Sequence, residues 1–123
     1  MEDIRIESTK YTPRIVLDKK GVVDIRGKSY PENTYEFYAP LMRWVEAFFE
    51  NPESELAVNL EIVYFNSSTS KFLFDFFDLL DENRQKCHIV IRWIYDEENE
   101  PAQEAGEEFR EDFEALDFRL VSK

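Results

Sequence analysis

The apolar residues between Thr34 and Tyr95 switch period three times, and this alternation restricts the chain to strands joined by helices. From Thr34 to Glu50, Tyr38, Leu41, Met42, Val45, Phe48 and Phe49 recur at every third or fourth position, the stripe of one helix face, until Asn51-Pro52 ends it. Leu56, Val58, Leu60, Ile62 and Tyr64 then alternate with Ala57, Asn59 and Glu61, which predicts a strand with the first set on its buried face. Phe72, Leu73, Phe76, Phe77 and Leu80 return to the helical period, and Asn83 to Lys86 interrupt it. Cys87 to Tyr95 is the next strand. Val90 and Ile94 stand opposite Ile89, Ile91, Trp93 and Tyr95, a pattern that predicts a central strand covered on both faces.

Ahead of this segment, Ile4 to Glu7, Arg14 to Asp18 and the glycine-bracketed stretch Gly21 to Gly27 read as an amino-terminal meander. Asn33 followed by Glu36 has the spacing of a capping box at the start of the first helix. Behind it, Ala102, Ala105, Phe109 and Phe113 share a helical stripe, and Leu116 to Val121 reads as an edge strand. The crossovers are long enough for parallel pairing. The predicted fold is a single α/β domain over residues 1–123, a mixed β-sheet packed with about three helices.

At 123 residues the chain has one domain's length, and its 11 Phe, 6 Tyr and 2 Trp supply bulk for one core without a metal or staple. Cys87 stands alone, which excludes an internal disulfide and fits a reducing compartment. No apolar run approaches the ~18 residues of a membrane span, and Met1-Glu2-Asp3 lacks the features of a secretory signal, so a cytoplasmic location is expected. The formal net charge is −12, and Asp96 to Asp117 holds 11 acidic residues against Arg110 alone. Such a surface repels nucleic acid and anionic lipid, so neither is an expected partner. The same carboxylates are also what a solvated helix face looks like.

Catalytic chemistry finds no foothold. His88 is the sole histidine, at the start of an apolar strand, and no Ser/His/Asp set accompanies it. Asp96, Glu97, Glu98 and Glu100 lack the spacing and glycine of a calcium loop, and Gly21, Gly27 and Gly106 make no phosphate-cradling loop. Neither a metal, a cofactor nor an enzymatic activity is expected.

The informative place is the junction after Phe65, where a strand runs into a helix through Asn66-Ser67-Ser68-Thr69-Ser70-Lys71. A helix's first turn has unpaired amides and the positive end of the dipole, so hydroxyl oxygens or a phosphate are stabilised there. One Ser or Thr suffices as a cap, and the surplus hydroxyls offer a modifiable site. Phosphate would add about −1.5 to −2 charge and change an interface without unfolding the domain.

Thr12-Pro13, Ser29-Tyr30-Pro31-Glu32-Asn33, Phe37-Tyr38, Tyr64-Phe65-Asn66-Ser67-Ser68, Lys71, Trp93-Ile94-Tyr95-Asp96 and Gly106-Glu107-Glu108-Phe109 resemble, in order and spacing, the SiaC family of bacterial regulatory phosphoproteins. The resemblance covers nearly the whole chain and rests on the Ser29–Asn33 and Tyr64–Ser68 stretches. It implies a fold like the STAS domains of anti-sigma-factor antagonists. It also implies a partner-switching circuit with a serine/threonine protein kinase and a metal-dependent phosphatase, in which the unphosphorylated form binds and activates a diguanylate cyclase. The family's phosphorylated hydroxyl follows the junction asparagine, which here is Ser67, a serine where a well-known member has threonine. The STAS pattern points one position later, to Ser68. Tyr30, Pro31, Glu32, Asn33, Asn66, Thr69 and Lys71 are the implied partner surface. Two alternatives stand beside this reading: an anti-sigma-factor antagonist, and a constitutive adaptor that binds a basic partner through the acidic carboxy-terminal helix.

Overall fold

Each crossover in this chain carries the next strand one place further in the same direction, and that regularity decides which side of the sheet is covered. The computed structural model describes residues 1–123. Its elements are β1 (Ile4–Ile6), β2 (Arg14–Asp18), β3 (Val22–Ser29), α1 (Thr34–Glu50), β4 (Glu55–Phe65), α2 (Ser67–Glu82), β5 (His88–Tyr95), α3 (Glu100–Asp112) and β6 (Asp117–Ser122). The strands pair in chain order in one six-stranded sheet. β1, β2 and β3 form the antiparallel meander, while β3, β4, β5 and β6 run parallel. Right-handed crossovers stepping in one direction place their helices on one face. The core follows: Val23 and Ile25, Val58 and Leu60, Ile91 and Trp93, and Phe118 cluster with the apolar stripes of all three helices.

The opposite face carries no helix, so the expectation that β5 is covered on both faces is corrected. Val90 is buried but lies outside the core cluster. Its shielding comes from within the sheet, where Ala57 and Asp117 flank it in register. Asp24, Arg26, Asn59, Glu61 and Arg92 share this face and are matched across the strands: Asp24 with Asn59, Arg26 with Glu61, Asn59 with Arg92. Arg26 bonds Asp24 at 2.8 Å and Glu61 at 3.0 Å, and Lys123 also pairs with Glu61. Glu61 is only 9% exposed, and a carboxylate so placed needs such partners.

A second correction concerns Tyr64, which is 57% exposed rather than buried. Gly27 pairs with Ile62, but Ser29, two residues on, pairs with Phe65, three residues on. The extra residue is a bulge in β4, and it exchanges the faces of everything after it. Phe65 therefore turns inward against Trp93, with ring centroids 6.1 Å apart, and Tyr64 turns out. Phe113, read as part of the third helical stripe, is buried but serves as the C-cap that follows α3.

α3 sits close on the sheet because Gly106 has no side chain: a Cβ there would lie 2.5 Å from Trp93 Cδ1 and 2.8 Å from Leu120 Cδ2. The Trp93 indole N–H donates to the Ala102 carbonyl at 2.9 Å and fixes the same approach. Gly106→Ala is expected to force α3 outward and to cost about 1–3 kcal/mol of stability, measured by urea unfolding, although alanine is the better helix former.

Candidate functional site

The β4 bulge delivers the chain to the start of α2 with Asn66 in extended conformation (φ −94°, ψ 176°). Asn66 Oδ1 accepts from the Thr69 amide at 3.0 Å and from the Ser68 hydroxyl at 3.0 Å, and its carbonyl accepts from the Ser70 amide. The amides of Ser67 and Ser68 have no acceptor within the helix, so the positive end of α2 faces outward there.

The hydroxyls of this turn divide into different roles. Thr69 is fully buried; its Oγ1 donates to the Ser29 carbonyl at 3.1 Å and pairs with Ser29 Oγ at 2.9 Å. Ser29 Oγ pairs in turn with Tyr38 Oη at 2.7 Å, and the Tyr38 ring stacks on Phe72 at 4.2 Å. Thr69 thus leaves the expected partner surface: its side chain faces inward, at the third position of α2, and joins β3, α1 and α2. Burial pushes the Tyr38 phenol up to about 12, with the Ser29 hydrogen bond opposing the shift. Ser68 is exposed, yet its hydroxyl also pairs with Thr34 Oγ1 at 2.7 Å. Ser67 is exposed, and its hydroxyl makes no hydrogen bond to another side chain or to the backbone.

The remaining expected residues fall around it. Tyr30 is exposed, with its amide bonded to the Tyr11 carbonyl at 2.7 Å, and Glu32 is exposed beside it. Pro31 is buried, so it shapes this loop rather than presenting a side chain. Asn33 is exposed and caps α1 by accepting from the Glu36 amide at 3.1 Å. Tyr11, Tyr30, Asn33, Glu36 and Phe37 line a shallow depression of about 430 Å³. On the other side, Ser67 and Lys71 line a groove of about 490 Å³ between α2 and α3, with Phe74, Ala105 and Glu108. Lys71 is the one cation in that groove and makes no ion pair.

Exposed aromatic residues gather here as well. Tyr11, Tyr30 and Tyr64 stand at the carboxyl edge of the parallel strands, Tyr35 opens α1, and Phe74, 45% exposed, lies two turns into α2. Phe74 was legible in sequence, because it falls off the stripe that Phe72, Leu73, Phe76, Phe77 and Leu80 define. Tyr64 was not, because of the bulge. His88 lies at the opposite edge of the sheet, where its ring nitrogens meet Glu55 at 3.2 Å and Asp117 at 3.3 Å.

One-sided sheet, capped junction and free hydroxyl define a small α/β domain that exposes an unbonded serine at a helix start. A family model described as SiaC family regulatory phosphoprotein matches residues 6–123, and the chain belongs to that family. An uncharacterised protein of Pseudomonas aeruginosa strain UCBPP-PA14 is 41% identical over 114 residues, covering 91% of this chain and 90% of its own. The solved structure of SiaC of Pseudomonas aeruginosa is similar over the full length of both chains, with a TM-score of 0.86 and 35% identity. SiaC in the crystal structure of the diguanylate cyclase SiaD in complex with its activator, from the same organism, gives 0.85 and 37% over 98% of each chain.

Two outcomes follow from the buried hydroxyls. Thr69→Val leaves Ser29 short of a partner and is expected to cost about 1–3 kcal/mol in denaturant unfolding, whereas Ser67→Ala stays within about 0.5 kcal/mol. The Tyr38 phenol ionises near 10 in the unfolded chain and only near 12 in the fold. The stability it contributes is therefore intact below pH ~10 and is lost as pH rises through about 12. Across that window wild type should lose about 2 kcal/mol more than Tyr38→Phe, read from unfolding midpoints at each pH.

Proposed function

We propose that this protein is a non-catalytic switch whose output is set by phosphate on Ser67. Unmodified, it docks on and activates a diguanylate cyclase. A serine/threonine kinase adds the phosphate that prevents docking, and a metal-dependent phosphatase removes it. The observation that carries the reading is the state of Ser67, an exposed and unbonded hydroxyl at the positive end of α2. Membership of a family of regulatory phosphoproteins supports it. So does the likeness to SiaC, which forms a complex with the cyclase SiaD as its activator.

The physics of the switch is local. A phosphate at Ser67 adds about −1.5 to −2 charge beside a groove that already holds Asp75, Glu108 and Asp112 against Lys71 alone. A partner seated across this rim meets both that charge and the bulk of three phosphate oxygens. Tyr30, Glu32, Asn33, Asn66 and Lys71 belong to the proposed docking surface, with Tyr11, Tyr64 and Phe74 added as apolar anchors of the kind that dominate interfaces. The fold itself is untouched, because Ser67 contributes nothing to the core.

The test is a cyclase assay with purified partner and stoichiometrically phosphorylated chain. Unmodified wild type and Ser67→Ala are expected to stimulate cyclic dinucleotide production equally, the phosphorylated form at least tenfold less, and Ser67→Glu in between. Equal stimulation by the phosphorylated form overturns the switch. The adaptor reading places the contact on α3, where Glu104, Glu107, Glu108 and Glu111 are all exposed. Replacing these four by glutamine abolishes binding under that reading, whereas a Ser67-centred surface keeps affinity within about threefold, as rim charges typically do.

A further inference from the structure

Two serines stand side by side at the start of α2, both exposed, and their hydroxyls are in opposite states. Ser68 Oγ donates its one proton to Asn66 Oδ1 at 3.0 Å and pairs with Thr34 Oγ1 at 2.7 Å. With the Ser68 proton committed to Asn66, the proton in the second bond comes from Thr34, and a lone pair of Ser68 accepts it. Both the proton that must leave during phosphoryl transfer and an electron pair of the nucleophile are thereby engaged. Ser67 Oγ has neither commitment and faces the groove between α2 and α3. Thr34 is only 5% exposed and sits at the first position of α1, so its hydroxyl is held by the packing of one helix against the start of the next.

We propose that Thr34 is the residue that confines phosphorylation to Ser67, by holding the neighbouring Ser68 hydroxyl in a closed hydrogen-bond chain to Asn66. The inference rests on the phosphoswitch reading and names what makes it single-sited. In the transfer, the serine oxygen forms a bond to the γ-phosphorus of a nucleoside triphosphate. The bond from that phosphorus to the β,γ-bridging oxygen breaks, the nucleoside diphosphate leaves, and the hydroxyl proton passes to the kinase's base. At Ser67 this needs only docking of the kinase. At Ser68 it also needs the Thr34 and Asn66 bonds to break, and breaking the latter removes one of the two donors on the Asn66 cap. Thr34 acts through Ser68 and touches no phosphate, so it is a positioning residue.

The experiment is site-resolved tandem mass spectrometry of full-length protein expressed in its own cells, in wild type, Thr34→Val, Thr34→Ser, Ser67→Ala and the Thr34→Val/Ser67→Ala double variant. Thermal unfolding of each confirms that it is folded. Wild type and Thr34→Ser are expected to carry phosphate on Ser67 with at least tenfold less on Ser68. Thr34→Val, which keeps the shape and removes the donor, should raise the Ser68 share at least fivefold. Ser67→Ala should be unphosphorylated at this junction, and the double variant should regain phosphate on Ser68. A folded Thr34→Val whose Ser68 share equals that of wild type overturns the inference, as does Ser67→Ala that carries phosphate on Ser68 as fully as wild type carries it on Ser67. In both cases the switch at this junction survives. Absence of phosphate from both serines in wild type overturns the switch itself, and the selectivity with it.

Discussion

The chain of buried hydroxyls from Tyr38 through Ser29 to Thr69 is the constraint on which the junction at the start of α2 depends. Each of its three members comes from a different element, α1, β3 and α2, and none has access to water. A hydroxyl in such a place is destabilising by itself and tolerable only when its partners are present, so the three elements are held in one arrangement or not at all. That arrangement sets the first turn of α2 against the start of α1, and with it the positions of Ser67 and Ser68. A core of aromatic rings alone would accept small sliding of α2 over α1, because apolar contact is not directional. The hydrogen bonds remove that freedom at the first turn of α2, where Ser67 is exposed.

The carboxyl edge of the parallel strands collects the rest. All three helices begin on an asparagine whose side chain accepts from the amide three residues on: Asn33, Asn66 and Asn99. Asn99 also donates to the Val63 carbonyl at 2.8 Å, a group of the bulged part of β4, where the ladder to β5 has already ended at Leu60 and Trp93. The bulge thus turns Phe65 inward, frees Tyr64 for the surface, and leaves a carbonyl that the cap of the next helix takes up. Asparagine-capped loops presenting aromatic side chains suit the proposed docking surface, since little order is left to be lost on binding.

The helices were readable in sequence because periodicity and capping are local properties: successive members of the α1 stripe lie about one turn apart, and the Asn33 cap immediately precedes the helix. Parallel pairing of the later strands was expected from crossover lengths; their order in the sheet came from the structure. What could not be read depends on residues far apart in the chain. The bulge is a relation between β3 and β4, and nothing within Leu56 to Tyr64 marks where the alternation slips. The burial of Thr69 depends on Ser29, 40 positions away, and the engagement of Ser68 depends on Thr34, 34 positions away. Four adjacent hydroxyls therefore looked equivalent in sequence and differ in the fold. Val90 and Ile94 misled for another reason: a residue in a central strand can be shielded by its lateral neighbours without any covering layer.

The uncovered face of the sheet gives the molecule a back. Its charges are matched to one another, with Arg26 between Asp24 and Glu61 and Lys123 closing on the same Glu61. Charges already neutralised by their neighbours must be desolvated to be buried and return little new attraction, so this part of the sheet is poorly suited to docking. Under the proposed phosphoswitch, a kinase, a phosphatase and an effector that share the carboxyl edge of the parallel strands would exclude one another by occupancy alone.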